Sequence, residues 1–349
     1  MRFLRSPLFW LGLLVSLATL LFALRGLHWG EVADASREAD YLFLLPAAVV
    51  MFVSLYFRAI RWAVLFHPVT HVRLGALMGA MNVGYSVNNL LPLRVGELVR
   101  AYLIGEAQKV STAHALSTIV VERVLDVLTV VLMLVLLLPF IDVPAWATVP
   151  AVAAGTVFLL LAAALATLSL ARHWALGMVD WVSRPLPAPY QARSRRAAEW
   201  VMEGFSVLSK PTVLAQGIFW SFAAWSSSAL MMFIVQRAFH LGVGFEAGPF
   251  VLATTSLAML VPASPGYIGT FELAVIKGLE GVFDVESNTA ASYALVQHAF
   301  LFVAPIVVAA FYLWRERQAW QQMRFWARRT VLAEDAAGAG VSVGPSQTP

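Results

Sequence analysis

Three short stretches of this 349-residue chain carry most of its polar chemistry. The first reads Asn88-Asn89-Leu90-Leu91-Pro92-Leu93-Arg94-Val95-Gly96-Glu97, with Arg100 one turn on. The second is Glu122-Arg123 followed by Asp126. The third runs Pro262-Ala263-Ser264-Pro265-Gly266-Tyr267-Ile268-Gly269-Thr270-Phe271-Glu272. On a helix Asp126 lies one turn beyond Glu122, so the two carboxylates share a face, and Arg123 is placed to pair with Asp126. Glu97 and Arg100 share a face in the same way, which predicts an ion-pair network between these two helices. Forked guanidinium donors match phosphate oxygens. Arg94 and Arg100 are therefore candidate ligands for a phosphodiester, with the carboxylates holding the arginines or attracting a cationic group. Acid–base catalysis by Glu97, Glu122 and Asp126 is the competing chemistry, but no nucleophile or metal set accompanies them.

Other chemistries find no support. The chain has no cysteine, which excludes disulfides, thiolate metal sites and cysteine nucleophiles. His67 and His71 have the spacing of a helical metal pair, yet Pro68 interrupts the helix and no third ligand is close. No Gly-rich run precedes a Lys-Ser/Thr pair, so there is no nucleotide-binding loop. The reading assigns no catalytic residue, no metal and no cofactor.

The elements that must position these residues are apolar. About 60% of the chain is hydrophobic and 13% charged, against roughly a quarter charged in soluble domains. Several runs exceed the roughly 18 apolar residues that mark a membrane span. Six segments read as full spans: 8–25, 41–62, 113–138, 147–171, 213–237 and 290–314. The first is too long for a signal-peptide core and lacks a small-residue cleavage site, so it reads as a retained span. Segments 74–105 and 248–279 are weaker, and each has a Pro-containing break near its middle.

Basic residues set the expected orientation, because they collect on the cytoplasmic side. Loop 26–40 carries Glu31, Asp34, Glu38 and Asp40 and reads as external. Arg58, Arg61 and Arg73, the long loop 172–210 and the tail after Arg315 read as internal. Only Arg25, Arg37, Arg237 and Lys277 fall outside, with Arg123 inside a span. The basic residues thus line the anionic cytoplasmic leaflet, and no nucleic-acid partner is expected. Both termini are expected in the cytoplasm of an inner-membrane protein. Domain organisation follows: a membrane domain over 1–315, whose loop 172–210 holds an interfacial helix, then a basic interfacial helix over 316–333 and a disordered tail over 334–349.

This orientation closes if each weak segment enters and leaves on one face. The two also resemble each other: an apolar run, Leu-x-Pro, Gly, Glu, then a second apolar run. Three spans separate them, which inverts the second copy. Paired broken helices in an inverted repeat point to a transporter's midplane site. Backbone groups freed by Pro and Gly cannot face lipid and must line an enclosed cavity. The helix start beyond each break would offer N–H groups to a phosphate. The expected fold is an all-α integral membrane bundle of about six full spans plus two re-entrant hairpins. Glu272 finds no local basic partner except Lys277. Gln297 and His298 are polar within an apolar span and are expected to face the bundle.

The three motifs in this order resemble the lysylphosphatidylglycerol synthetase transmembrane-region family, also called the flippase-like domain family. The resemblance covers about residues 8–315. It implies movement of a phospholipid, such as aminoacylated phosphatidylglycerol, or of a polyprenyl-type lipid between leaflets. In full-length members an aminoacyl-transferase domain follows the membrane part. This chain ends soon after it, so lysyltransferase activity is not expected. Asn88, Asn89, Arg94, Glu97, Arg100, Glu122, Arg123, Asp126, Ser264, Gly266, Gly269 and Glu272 are the expected ligand-binding set. Expected partners are a phospholipid headgroup and anionic lipid at the cytoplasmic face. The alternatives are an intramembrane lipid-modifying transferase and a membrane partner of a separately encoded synthetase or glycosyltransferase.

Overall fold

Inside a membrane only a helix satisfies its own backbone groups without neighbours, so long unbroken apolar runs become long helices. The computed structural model describes residues 7–67, 69–91, 94–260, 265–316 and 321, and among them every regular element is helical. The order is α1 (Pro7–Leu24), α2 (Trp29–Glu38), α3 (Leu44–Phe66), α4 (Leu74–Leu90), α5 (Gly96–Gln108), α6 (Thr112–Leu137), α7 (Ala145–Leu170), α8 (Arg172–Ser183), α9 (Ala188–Phe205), α10 (Pro211–Ala238), α11 (Ala247–Ala258), α12 (Thr270–Phe283) and α13 (Ser287–Arg315). Each of the six expected spans coincides with a helix. Among the described residues, four helical stretches are long and apolar enough to cross a membrane, and five if the α1–α2 pair, bent by 82°, counts as one. At 26 residues α6 is as long as α7, and at about 1.5 Å per residue it reaches ~39 Å. Its Glu122, Arg123 and Asp126 lower its apolarity.

The loop expected at 26–40 contains a helix. α2 lies against the start of α13, where Asn288 donates to Glu31 (2.5 Å) and accepts from the His28 N–H (2.9 Å). The Ser36 and Ser292 hydroxyls meet at 2.6 Å. Val32 is the buried residue on this otherwise polar helix, so the acidic face stays outward.

Each weak segment is a helical hairpin. The chain breaks after Leu90 and restarts at Gly96, and the Arg73 N–H at the head of α4 meets Gln108 Oε1 at the foot of α5. Similarly, Phe250 near the start of α11 meets Phe283 at the end of α12 edge to face, with ring centroids 5.6 Å apart. The first hairpin closes by direct backbone approach at Gly84 and Gly96. A Cβ on Gly96 would strike the Gly84 carbonyl oxygen and lie 2.7 Å from Asn88 Oδ1. Overpacking of this kind costs about 1–3 kcal/mol. Gly96→Ala is therefore expected to lower the melting temperature of the detergent-solubilised protein, measured by tryptophan fluorescence.

The core lies between α3, α4, α6, α10, α11, α12 and α13. α9 packs Met202, Gly204 and Phe205 inward against α6. Trp200 on the same helix remains 39% exposed, as a residue of the interfacial helix expected in loop 172–210 would. α7 differs from the other long helices. Only Ala147 and Ala151 are buried, while Leu159, Leu160 and Leu170 are exposed. The expected basic helix over 316–333 and the tail over 334–349 lie outside the described residues apart from Glu316 and Gln321.

Candidate functional site

The predicted ion-pair network forms, and it is larger than the sequence suggests. α6 supplies Glu122 and Asp126, both buried. Arg100 of α5 donates to Glu122 at 3.1 Å. Arg123 donates to Glu122 at 2.5 Å, pairs with Asp126 at 3.0 Å and approaches Glu97 at 3.8 Å. α3 adds two arginines. Arg61, fully buried, lies 2.5 Å from Asp126 and 3.3 Å from Glu122. Arg58 stands 3.9 Å from Asp126. Four guanidinium groups thus face three carboxylates, which leaves one positive charge in excess.

Neighbouring side chains hold these charges in place. Trp225 of α10 donates to Asp126 at 2.8 Å, and Ser221 accepts from Arg61 at 3.0 Å. Arg100 stacks over the Trp62 ring at 4.8 Å, and Trp62 donates to Thr118 at 3.0 Å. A buried ion needs both a partner and hydrogen bonds for its remaining donors; each of these charges has an opposite charge within reach, while the buried Nε atoms of Arg61, Arg100 and Arg123 find no hydrogen-bond acceptor among the described residues. Glu122 Oε1 alone lies within reach of Arg61, Arg100 and Arg123. A carboxylate so occupied holds its arginines in place.

Arg58 is the exception. Its side chain is 13% exposed. It stacks on the Trp225 ring at 4.4 Å and reaches the Ser228 hydroxyl at 3.4 Å. It faces a cavity of about 200 Å³ bounded by α3, α4, α10, α11, α12 and α13. Tyr85, Thr255, Ser256 and Met259 line the same space. The Tyr85 hydroxyl is buried without a hydrogen-bond partner among the described residues. An excess cation and an unused phenol thus border one chamber, touched by α4 of the first hairpin and α11 and α12 of the second.

Arg94 does not join the cluster. It sits at φ 52° beside the first break and donates to the Met259 carbonyl (2.6 Å) and the Tyr267 hydroxyl (2.9 Å). It therefore ties the turn of the first hairpin to the turn of the second. Asn89 adds a bond to the Phe302 carbonyl at 3.3 Å.

The helix starts expected to greet a phosphate are already answered by the protein. Asn88 Oδ1 accepts from the Gly96 N–H at 2.8 Å, and Glu272 Oε2 accepts from the Gly269 N–H at 2.6 Å. Gly266 (φ 70°) and Gly269 (φ 92°) adopt left-handed backbone that glycine tolerates best. The partner of Glu272 is His298, 2.5 Å away, while Lys277 turns to Glu280 at 2.7 Å. Ser264 lies outside the described residues.

The model of the lysylphosphatidylglycerol synthase TM region matches residues 9–309. The chain belongs to this family. A UPF0104 membrane protein of Methanothermobacter thermautotrophicus is 30% identical over 261 residues, covering 70% of this chain and 76% of that protein. Glycosyltransferase AglD of Haloferax volcanii is 29% identical over 120 residues, which is 34% of this chain but 19% of that protein. No solved structure matches the chain.

For a lysylphosphatidylglycerol synthase TM-region protein, a charge cluster inside the helix bundle is a departure from ordinary membrane packing. Arg58 and Arg61, expected on the cytoplasmic side, turn into the bundle: Arg61 is fully buried and the Arg58 side chain is 13% exposed. A signal was present. Ser54, Arg58 and Arg61 recur at i, i+4 and i+7 on α3, and Ser221, Trp225 and Ser228 do so on α10. These stripes face each other: Ser54 meets Ser228 at 2.8 Å, and Arg61 reaches Ser221.

Proposed function

We propose that this membrane protein translocates a phosphate-bearing lipid headgroup between leaflets, with Arg58 as the group that meets the phosphate. One observation carries this reading. Arg58 brings an excess positive charge to a cavity bordered by both hairpins. Guanidinium–phosphate bonds inside a low-dielectric space are strong, and the buried Tyr85 hydroxyl adds a donor. The cluster behind Arg58 keeps the field fixed, since its carboxylates are taken by Arg61, Arg100 and Arg123. The lipid tails stay outside the bundle, in the bilayer.

In this reading the hairpins of α4–α5 and α11–α12 dip into the bilayer from opposite faces. Arg94 joins their turns near the middle. Rocking of one hairpin against the other would expose the cavity to each leaflet in turn. Both termini lie in the cytoplasm, and loop 172–210 rests on the anionic leaflet through its arginines.

The test is reconstitution in liposomes containing fluorescent phosphatidylglycerol, with dithionite quenching of the outer leaflet. The protein is expected to raise the rate of transbilayer movement at least tenfold over empty vesicles, without forming a new lipid product. Vesicle rates unchanged by the protein would sink the proposal. A second reading draws on the 120-residue match to a protein named a glycosyltransferase: this chain acts as the membrane partner of a separately encoded enzyme. New lipid product only when a soluble glycosyltransferase is added would favour that reading.

A further inference from the structure

An acid–imidazole pair that the headgroup site does not use joins the second hairpin to α13. Glu272 lies in the first turn of α12 and His298 lies within α13. Both are largely buried, with side-chain exposures of 5% and 12%. Each ring nitrogen of His298 faces an oxygen. Nε2 lies 2.7 Å from the Gly266 carbonyl and Nδ1 lies 2.5 Å from Glu272 Oε1. A carbonyl only accepts, so Nε2 must carry a hydrogen. The short link between Nδ1 and Oε1 then requires a proton of its own. It resides either on the carboxyl, facing a neutral imidazole, or on Nδ1, facing a carboxylate. In both cases the pair holds one exchangeable proton and is neutral overall. Glu272 Oε2 accepts from the Gly269 N–H in either state.

We propose that Glu272 and His298 form a proton-binding site whose loading and release drive the movement of the hairpins. The inference rests on the lipid-transport reading for its coupling, but not for the proton itself. When the shared proton leaves, a carboxylate oxygen meets a nitrogen lone pair at hydrogen-bond distance, and the two repel. The link between α12 and α13 then opens. His298 also holds the Gly266 carbonyl, and the next residue, Tyr267, accepts from Arg94. Release therefore frees the turn that ties the second hairpin to the first.

The surroundings make this pair the local titrating unit. α1 contributes no ionisable side chain where it packs on α12, and α11 contributes none either. On α12, Lys277 and Glu280 pair with each other. From α4 the ionisable side chain is Tyr85, and from the neighbouring turn it is Tyr267, which Arg94 holds. α2 and α10 meet α13 elsewhere: Glu31 of α2 engages Asn288 at the start of α13, and Arg37 pairs with Asp34. Arg237 lies at the end of α10. The Phe271 ring covers the imidazole at 4.5 Å. A shallow recess lined by Ile268, Leu295, Ala299 and Phe302 adjoins the pair.

Two measurements on the full-length protein in lipid nanodiscs and vesicles test this. First, ¹⁵N resonances of histidine rings are followed against pH, with His298 assigned as the signal lost in His298→Gln. Glu272→Gln can still accept from Gly269 N–H and donate to Nδ1, so it mimics the loaded state. It is expected to move the His298 titration midpoint by about one pH unit or more, a tenfold change in proton affinity. Second, movement of fluorescent phosphatidylglycerol is followed in proteoliposomes with and without an imposed pH gradient. The gradient is expected to change the wild-type rate several-fold and to leave Glu272→Gln and His298→Gln indifferent. An unchanged His298 midpoint in Glu272→Gln overturns the proton site. Wild-type movement that ignores the gradient overturns the coupling. If no lipid moves under any condition, the transport reading and the coupling fall together while the resonance still decides the proton site. Should Glu272→Gln fail to fold, His298→Gln decides through the gradient measurement.

Discussion

Glu122→Ala is expected to strip the folded protein of about 3–5 kcal/mol, the cost of leaving a buried charge without its partner. Three guanidinium groups converge on this carboxylate: Arg61 at 3.3 Å, Arg100 at 3.1 Å and Arg123 at 2.5 Å. Arg61 and Arg100 have no solvent to turn to, being 0% and 1% exposed. Removing Glu122 leaves both buried with one acceptor fewer and shifts the cluster further positive. Thermal unfolding followed by size-exclusion chromatography in detergent measures the loss. Residues in one ion network do not behave additively. Arg100→Leu combined with Glu122→Leu is thus expected to be milder than the two single losses added together. A Glu122→Ala protein with wild-type stability would show that these contacts contribute nothing.

Arg58→Gln is the second large effect, and it falls on movement of lipid instead of on stability. The carboxylate neighbour of Arg58 stands off at 3.9 Å, so losing its charge costs the fold less than losing Glu122. A hydrogen bond to a charged group contributes about 1.5–3 kcal/mol. At ~1.4 kcal/mol per factor of ten, losing one phosphate contact lowers the transport rate at limiting lipid by about 10- to 150-fold. Arg58→Lys keeps a charge but loses the fork and the flat stacking surface over Trp225, so it is expected to fall between. The fluorescent-lipid assay reads the rate, and the melting curve shows that the variants remain folded. Wild-type transport by Arg58→Gln would remove Arg58 from the site.

Much of this molecule is legible in its sequence. The apolar runs mark the helices because a membrane leaves the backbone no other way to satisfy itself. Pro92 and the Pro262-to-Gly269 stretch mark two interruptions, and the helices end at Leu90 and Ala258 and restart at Gly96 and Thr270. Helical spacing correctly pairs Arg123 with Asp126, and the network expected between the two helices forms through Arg100 and Glu122. Sequence reasoning fails where one residue type carries two messages. Arginine near the end of an apolar run usually reports the cytoplasmic interface, and Arg58 and Arg61 were assigned on that rule. Their burial depends on carboxylates some 60 residues away on α6, which no local pattern reveals. Glu272 fails for the same reason: its partner His298 is 26 residues distant, while Lys277, the obvious neighbour, is satisfied by Glu280. Arg94, a candidate phosphate ligand by residue type, has its guanidinium taken by the Met259 carbonyl and the Tyr267 hydroxyl of the other hairpin, a long-range contact that no local pattern reveals.

The bareness of α7 has a practical consequence. With two alanines as its buried residues, this helix owes its place to hydrocarbon chains more than to protein neighbours, and its main protein neighbour is α6, the helix that bears Glu122 and Asp126. The amphiphile used in purification thus becomes part of the scaffold. A short-chain micelle that lets α7 drift would uncover the back of the charged helix, and a sample could lose its competence through its surroundings while every covalent bond stayed intact.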